Sequence, residues 1–204
     1  MARRGDRAAD VGGVTGDEAR KRALLDAALG VFLRFGFRKT SMEDVARAAD
    51  ISRQGLYLHF ATKEELLRAA VGRLLATALA EASARLEDAA RPPAERLAAG
   101  LDAWLGRFVG LDEAGGGDLV EAGEQLAGGL VGEHEARFVE ALVKAVRAAG
   151  LVSVYRSARV NARQLAESLY ATARGLKHGA ATRADFARAI GVATRILCVP
   201  LHLA

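Results

Sequence analysis

Apolar residues recur along the chain at helical spacing, and turn-forming residues cut the pattern into segments. Residues 1–16 lack any such period and carry Gly5, Gly12, Gly13 and Gly16, which predicts a mobile tail ahead of a first helix beginning near Asp17. Leu24, Ala28, Val31, Phe32 and Phe35 then form one buried stripe, and Gly36 stops that helix. Thr40 and Glu43 stand at the spacing of a capping box and open a short second helix to about Ala49. Asp50 tolerates a left-handed backbone and Ser52 is the next cap, so a third short helix starts after a turn of about three residues.

A further capping box, Thr62 with Glu65, opens a long fourth helix striped by Leu66, Ala70, Val71, Leu74, Ala78 and Leu86, which ends before Pro92-Pro93. The fifth, about Ala94 to Val109, carries Leu97, Leu101, Trp104, Leu105 and Phe108. Gly115 to Gly117 mark a loop, Asp118 and Glu121 cap a short sixth helix expected to fail by Gly128-Gly129, and Glu133 to Ala149 make a seventh, ended by Gly150. The eighth, about Arg159 to Ala180, has the stripe Ala162, Leu165, Ala166, Leu169, Ala173 and Leu176. The ninth, from Thr182 to the stop at Pro200, has Phe186, Ile190, Ala193 and Leu197.

Composition agrees with an all-α chain: 51% of residues are hydrophobic but only 5% aromatic, and Ala, Leu and Arg are the commonest residues. The single Cys198 offers neither an internal disulfide nor a zinc-finger ligand set. With no apolar run approaching a membrane span, the expected location is the cytoplasm. Charge is unevenly placed. Residues 20–63 hold 9 basic and 4 acidic groups, an excess of 5, although the whole chain carries only +4. A basic excess confined to the segment with two closely spaced short helices points to nucleic acid.

Residues 20–67, RKRALLDAALGVFLRFGFRKTSMEDVARAADISRQGLYLHFATKEELL, closely resemble the DNA-binding domain of the TetR family of bacterial transcriptional regulators. The match runs through Phe32, Gly36, Thr40, Val45, Ala46, Ala48, Ala49, Leu56-Tyr57, His59-Phe60 and Lys63. Asp50 stands where the family commonly has Gly, and Leu58 is apolar where a polar residue is common. The resemblance implies a three-helix helix-turn-helix DNA-binding domain over about 17–63, with the motif at about 41–60. A larger helical ligand-binding and dimerisation domain follows over 64–204, for about nine helices in all. It also implies a repressor that occupies a palindromic operator on double-stranded DNA as a homodimer and leaves it when a small-molecule inducer binds. The rival reading is a ligand-binding or interaction module on the same fold that does not act through DNA.

Residue chemistry assigns the roles. Ser52-Arg53-Gln54-Gly55 present small and polar groups at the leading turn of a recognition helix, where Arg53 suits guanine and Gln54 adenine. Leu56 and Phe60 face the helices behind, leaving Tyr57 and His59 at the rim for phosphates. Lys63 after Thr62, and Thr40 at its own helix start, are further phosphate candidates, and Arg20, Lys21 and Arg22 add charge. In the body, Trp104, Phe108, Phe138 and Tyr155 are candidate walls of an inducer cavity, with Glu121, Gln125 and His134 as its polar contacts. Leu165, Leu169, Phe186 and Ile190 are candidate dimer-interface residues, because helices eight and nine carry apolar residues on two sides. His134-Glu135 begins like a zinc-protease helix, but Phe138 stands where a second histidine is required. No nucleophile-base pair, phosphate loop or dinucleotide glycine pattern is present, so no cofactor, metal or catalysis is expected.

Overall fold

The computed structural model describes residues 11–110 and 117–199, and side chains from Gly16 to Gly110 and from Asp118 to Val199. Among these residues all regular structure is helical: α1 (Val11–Phe35), α2 (Met42–Ala48), α3 (Arg53–His59), α4 (Lys63–Glu87), α5 (Pro93–Leu105), α6 (Gly117–Ala148), α7 (Leu151–Val154), α8 (Ala162–Gly179) and α9 (Arg183–Cys198). Short 3-10 turns follow α5 and α7. No described helix is long and apolar enough to cross a membrane.

Two apolar clusters organise these helices. The first gathers Leu24, Leu25, Ala28, Val31 and Phe32 of α1 with Met42, Val45 and Ala46 of α2, and with Leu56 and Phe60 at α3. Leu66, Leu67 and Ala70 from the start of α4 complete this head. The second cluster fills the body, from Leu75 onward along α4 through α5, α6, α8 and α9. Burial of these stripes, worth about 1.5–3 kcal/mol for each large side chain, outweighs the weak intrinsic preference of such short helices as α2 and α3. Asp26 and Arg73 lock α1 to α4 with two parallel bonds of 2.8 and 2.9 Å, and the guanidinium holds the Asp26 carboxyl below its usual range.

Several boundaries differ from the sequence pattern. α1 reaches back to Val11, ahead of the expected start near Asp17, and the rest of the expected tail, residues 1–10, lies outside the described residues. The cap of α2 is Ser41 rather than Thr40: Ser41 accepts from the Asp44 backbone N–H, and the Asp44 carboxylate accepts from the Ser41 N–H at 2.9 Å. Thr40 with Glu43 and Ser41 with Asp44 both satisfy the spacing. The second pair wins because the Thr40 hydroxyl is buried and donates to the Gly36 carbonyl at 2.7 Å, sealing the end of α1.

The expected sixth and seventh helices are one helix, the 32-residue α6. Leu119, Ala122, Ala127, His134, Phe138 and Leu142 keep one continuous buried side across Gly128-Gly129. Packing along that side overrides a helix penalty of about 1 kcal/mol per glycine. The α5 end likewise falls at Leu105, and α8 begins later than expected, at Ala162, after a capping box made by Asn161 and Gln164. The one-turn α7 between them has no counterpart in the pattern.

The four residues expected at a dimer interface are core residues of a single chain. Leu165 and Leu169 are buried where α8 meets α6 and α5, and Phe186 and Ile190 are buried where α9 meets α5. The second apolar side of α9 is nonetheless real. Val192, Ile196 and Val199 stand exposed, Ile196 at 66%.

Candidate functional site

The turn between α2 and α3 is built as its residues dictate. Asp50 takes the left-handed conformation at φ 55°, and the chain is held by Ile51 N–H donating to the Ala46 carbonyl at 3.0 Å. Ser52 caps α3 by accepting from the Gly55 N–H at 2.9 Å. A Cβ on Gly55 would sit 3.1 Å from the Ser52 Oγ, so glycine keeps this cap close. Leu56 and Phe60 anchor α3 inward, and the opposite face is open: Ser52, Arg53, Gln54, Tyr57, Leu58 and His59 are all exposed. The Arg53 guanidinium lies over the Tyr57 ring, 5.6 Å from its centroid, which fixes the direction of a long side chain before any contact is made. Leu58 is 82% exposed at the centre of this face. Such exposure of an apolar side chain matches the contact that a thymine methyl invites.

Arg20, Lys21 and Arg22 are exposed on α1, together with Arg47 on α2 and Arg38 and Lys39 on the intervening loop. Thr40 and Lys63 are exceptions among the expected DNA-contacting residues. Thr40 is interior, as described, and the half-buried Lys63 ammonium donates to the Phe37 carbonyl at 2.8 Å and the Thr40 carbonyl at 2.9 Å while lying over the Phe37 ring. Two of its three protons are thus spent holding the loop after α1.

The head is also gripped by the body. Asp118 in the first turn of α6 accepts the Arg38 backbone N–H at 3.0 Å, and Glu121 pairs with the Arg38 guanidinium at 3.1 Å. Next to them, Leu119 and Ala122 are buried members of the head cluster. The same turns of α6 form one wall of a cavity of about 410 Å³, through Leu119, Val120, Gly123 and Glu124. Leu29 and Leu33 of α1 and Val71, Leu74 and Leu75 of α4 make its apolar side, with Trp104, Leu105 and Phe108 beside them. Tyr170, Arg174, Lys177 and His178 reach it from α8, and Val131 and Glu135 from farther along α6.

Of the residues expected to line a cavity, Trp104 and Phe108 do. Phe138 stacks on Trp104 at 5.0 Å, from behind the wall. Glu121 is engaged with Arg38 and Gln125, and the His134 Nδ1 lies 2.8 Å from the Leu130 carbonyl of its own helix. Tyr155 donates to the Leu197 carbonyl at 2.9 Å, tying α9 to the segment after α7. The polar residues missed in the sequence are Glu124, Glu135, Tyr170, Arg174, Lys177 and His178. Their signal was present on α8, where positions 170, 174, 177 and 178 follow one helical face. Tyr170 accepts from the Trp104 indole N–H at 3.2 Å. Burial, with the Glu135 carboxylate nearby, pushes its hydroxyl up to about 12.

A model of the family described as bacterial regulatory proteins, tetR family, matches residues 24–70. The HTH-type transcriptional regulator YfiR of Bacillus subtilis is 38% identical over 73 residues, 36% of this chain and 34% of that protein. The HTH-type transcriptional regulator RutR of Escherichia coli K12 is 40% identical over 70 residues, 34% of this chain and 33% of that protein. The chain thus matches about a third of the length of these curated relatives. A solved structure of a TetR-like transcriptional regulator from Rhodococcus sp. RHA1 aligns over 86% of this chain and 93% of that one, at a TM-score of 0.58 and 28% identity.

Proposed function

We propose, for a chain that belongs to the TetR family of bacterial regulatory proteins, a ligand-responsive transcriptional regulator that binds a palindromic operator as a dimer and releases it when a small molecule enters the cavity. The observation that carries this reading is the double duty of the first turns of α6. Leu119 both seals the head and lines the cavity, and Asp118 and Glu121 on either side hold Arg38. A ligand that presses on this wall therefore acts on the head directly, in addition to any tilt of α4, which is shared by both clusters. Linkage then fixes the sign: a ligand that prefers the head geometry unsuited to the operator lowers operator affinity by its own preference ratio.

Arg53 and Gln54 are assigned to base edges, Leu58 to a thymine methyl, and Tyr57, His59 and the α1 basic run to phosphates. For the dimer, the supported surface is the outer side of α8 and α9. Val192, Ile196 and Val199 are exposed, as are the small residues Ser168, Ala171, Thr172 and Gly175 of α8, which permit close approach of a symmetry-related pair.

Selection of binding sites from random duplex DNA tests the function. The expected product is an inverted repeat whose half-sites lie about one helical turn apart, about 34–36 Å, with affinity falling steeply as salt rises. Recovery of unselected sequence would overturn it.

A further inference from the structure

The cavity has two chemically different ends. Toward the head its surface is hydrocarbon, supplied by Leu29, Leu33, Val71, Leu74, Leu75 and Leu119, with no polar side chain from α1 or α4. The α8 side presents Tyr170, Arg174, Lys177 and His178 on one helical face. Lys177 is half-buried there and has no carboxylate partner among the described residues. Arg174 is paired with Glu135, but through a single contact of 3.4 Å, well beyond the roughly 2.7–2.9 Å of a firm charged bond. Glu135 is answered by this arginine, whereas Glu124 is exposed. Of the two half-buried charges on the lining, Glu135 is paired and, among the described residues, Lys177 is not.

We propose that the ligand is an amphipathic carboxylate, its apolar tail laid along α1 and α4 and its head held by Lys177 and Arg174. This inference rests on the reading of the cavity as the regulator's ligand site. The head displaces Glu135 from its slack contact with Arg174, and Lys177 supplies a second cation close by. At about 30 Å³ for a group the size of water, the volume of about 410 Å³ accepts on the order of a dozen non-hydrogen atoms. A tail filling the hydrocarbon end touches Leu119, and so reaches the contact between α6 and the head.

The sole tryptophan, Trp104, lines the cavity and reports occupancy by its fluorescence. Purified full-length chain, free of DNA, is titrated with octanoate, octan-1-ol and octylamine below their micellar concentrations. Octanoate is expected to bind at least tenfold more tightly than the alcohol, and the amine more weakly still. Lys177→Gln should weaken octanoate about tenfold and leave the alcohol unchanged. Arg174→Gln should act in the same direction, and circular dichroism confirms that both variants remain folded. Equal binding of acid and alcohol, or preference for the amine, overturns the proposal, as does unchanged octanoate binding in both variants. Operator selection is scored separately. A chain that selects an operator but prefers the amine keeps the regulator reading and loses this one, and a chain that binds octanoate but selects no DNA does the reverse.

Discussion

The grip of α6 on the head is open to a quantitative test at Gly36. This residue closes α1 in the left-handed region at φ 81°, and its N–H donates to the Phe32 carbonyl at 2.9 Å. A Cβ placed there meets the Asp118 carboxylate at 2.5 Å. Gly36→Ala thus incurs two separable costs. The left-handed backbone costs an L-residue about 1–2 kcal/mol. Displacing Asp118 also forfeits its bond from the Arg38 N–H, worth about 1 kcal/mol at this partly exposed position. The single variant should lose about 2–3 kcal/mol, and Asp118→Ala alone about 1 kcal/mol. In the double variant the carboxylate bond is already absent, so its loss should match that of Gly36→Ala and fall short of the sum of the singles by about 1 kcal/mol. Urea unfolding of the four proteins at 25 °C measures the cycle. Strict additivity would show that Asp118 does not constrain Gly36, and that the α6 contact with the head is looser than the geometry implies.

Three further outcomes are expected. Lys63→Met should lower thermal stability in the absence of DNA by about 1–2 kcal/mol, because the ammonium holds two backbone carbonyls; unchanged melting with weakened DNA binding would return Lys63 to a phosphate. Because the Tyr170 hydroxyl is raised to about 12 from an ordinary value of 10.0, folding favours its protonated form, and that contribution, on the order of 2 kcal/mol, is complete below about pH 10 and lost as pH rises toward 12. Tyr170→Phe should flatten this part of the stability profile, and an identical alkaline slope in both proteins would contradict the assigned burial. Ile196→Arg should yield monomers in sedimentation velocity with an unaltered helical spectrum, whereas an intact dimer would remove the outer side of α9 from the interface.

Much of this was legible in the sequence, for physical reasons that differ by region. Most of the head could be read from the sequence, since the Ser52 and Thr62 caps, the left-handed Asp50 and the inward Leu56 and Phe60 act over three or four positions, whereas the cap of α2 fell to Ser41 because burial claimed Thr40. The stripes on α8 and α9 were equally visible, but a stripe says only that a side is buried. Leu169 and Ile190 could have faced a second chain or their own. The two glycines in α6 looked like a break because propensity is local, while the packing of Leu119 through Leu142 that overrides it comes from other helices. The cavity was the least legible part. Leu29 and Leu33 join it from a helix about 140 positions before Arg174, and Trp104 and Phe108 were found only because aromatics are few. Thr40 and Lys63 had residue types suited to phosphate but were claimed first by nearby carbonyls.

α4 and α6 each contribute buried residues to both apolar clusters, and Val71 packs against both. Neither cluster can therefore come apart without stripping the other of a wall. Gly123, Gly128, Gly129 and Gly132 leave open space where a Cβ would fit, so the middle of α6 owes its order to what surrounds it rather than to its own residues. Head and body are therefore expected to melt in one cooperative transition, seen as a single peak in scanning calorimetry. A perturbation in either should then appear as lost order in the other, with no separate transition for residues 17–63.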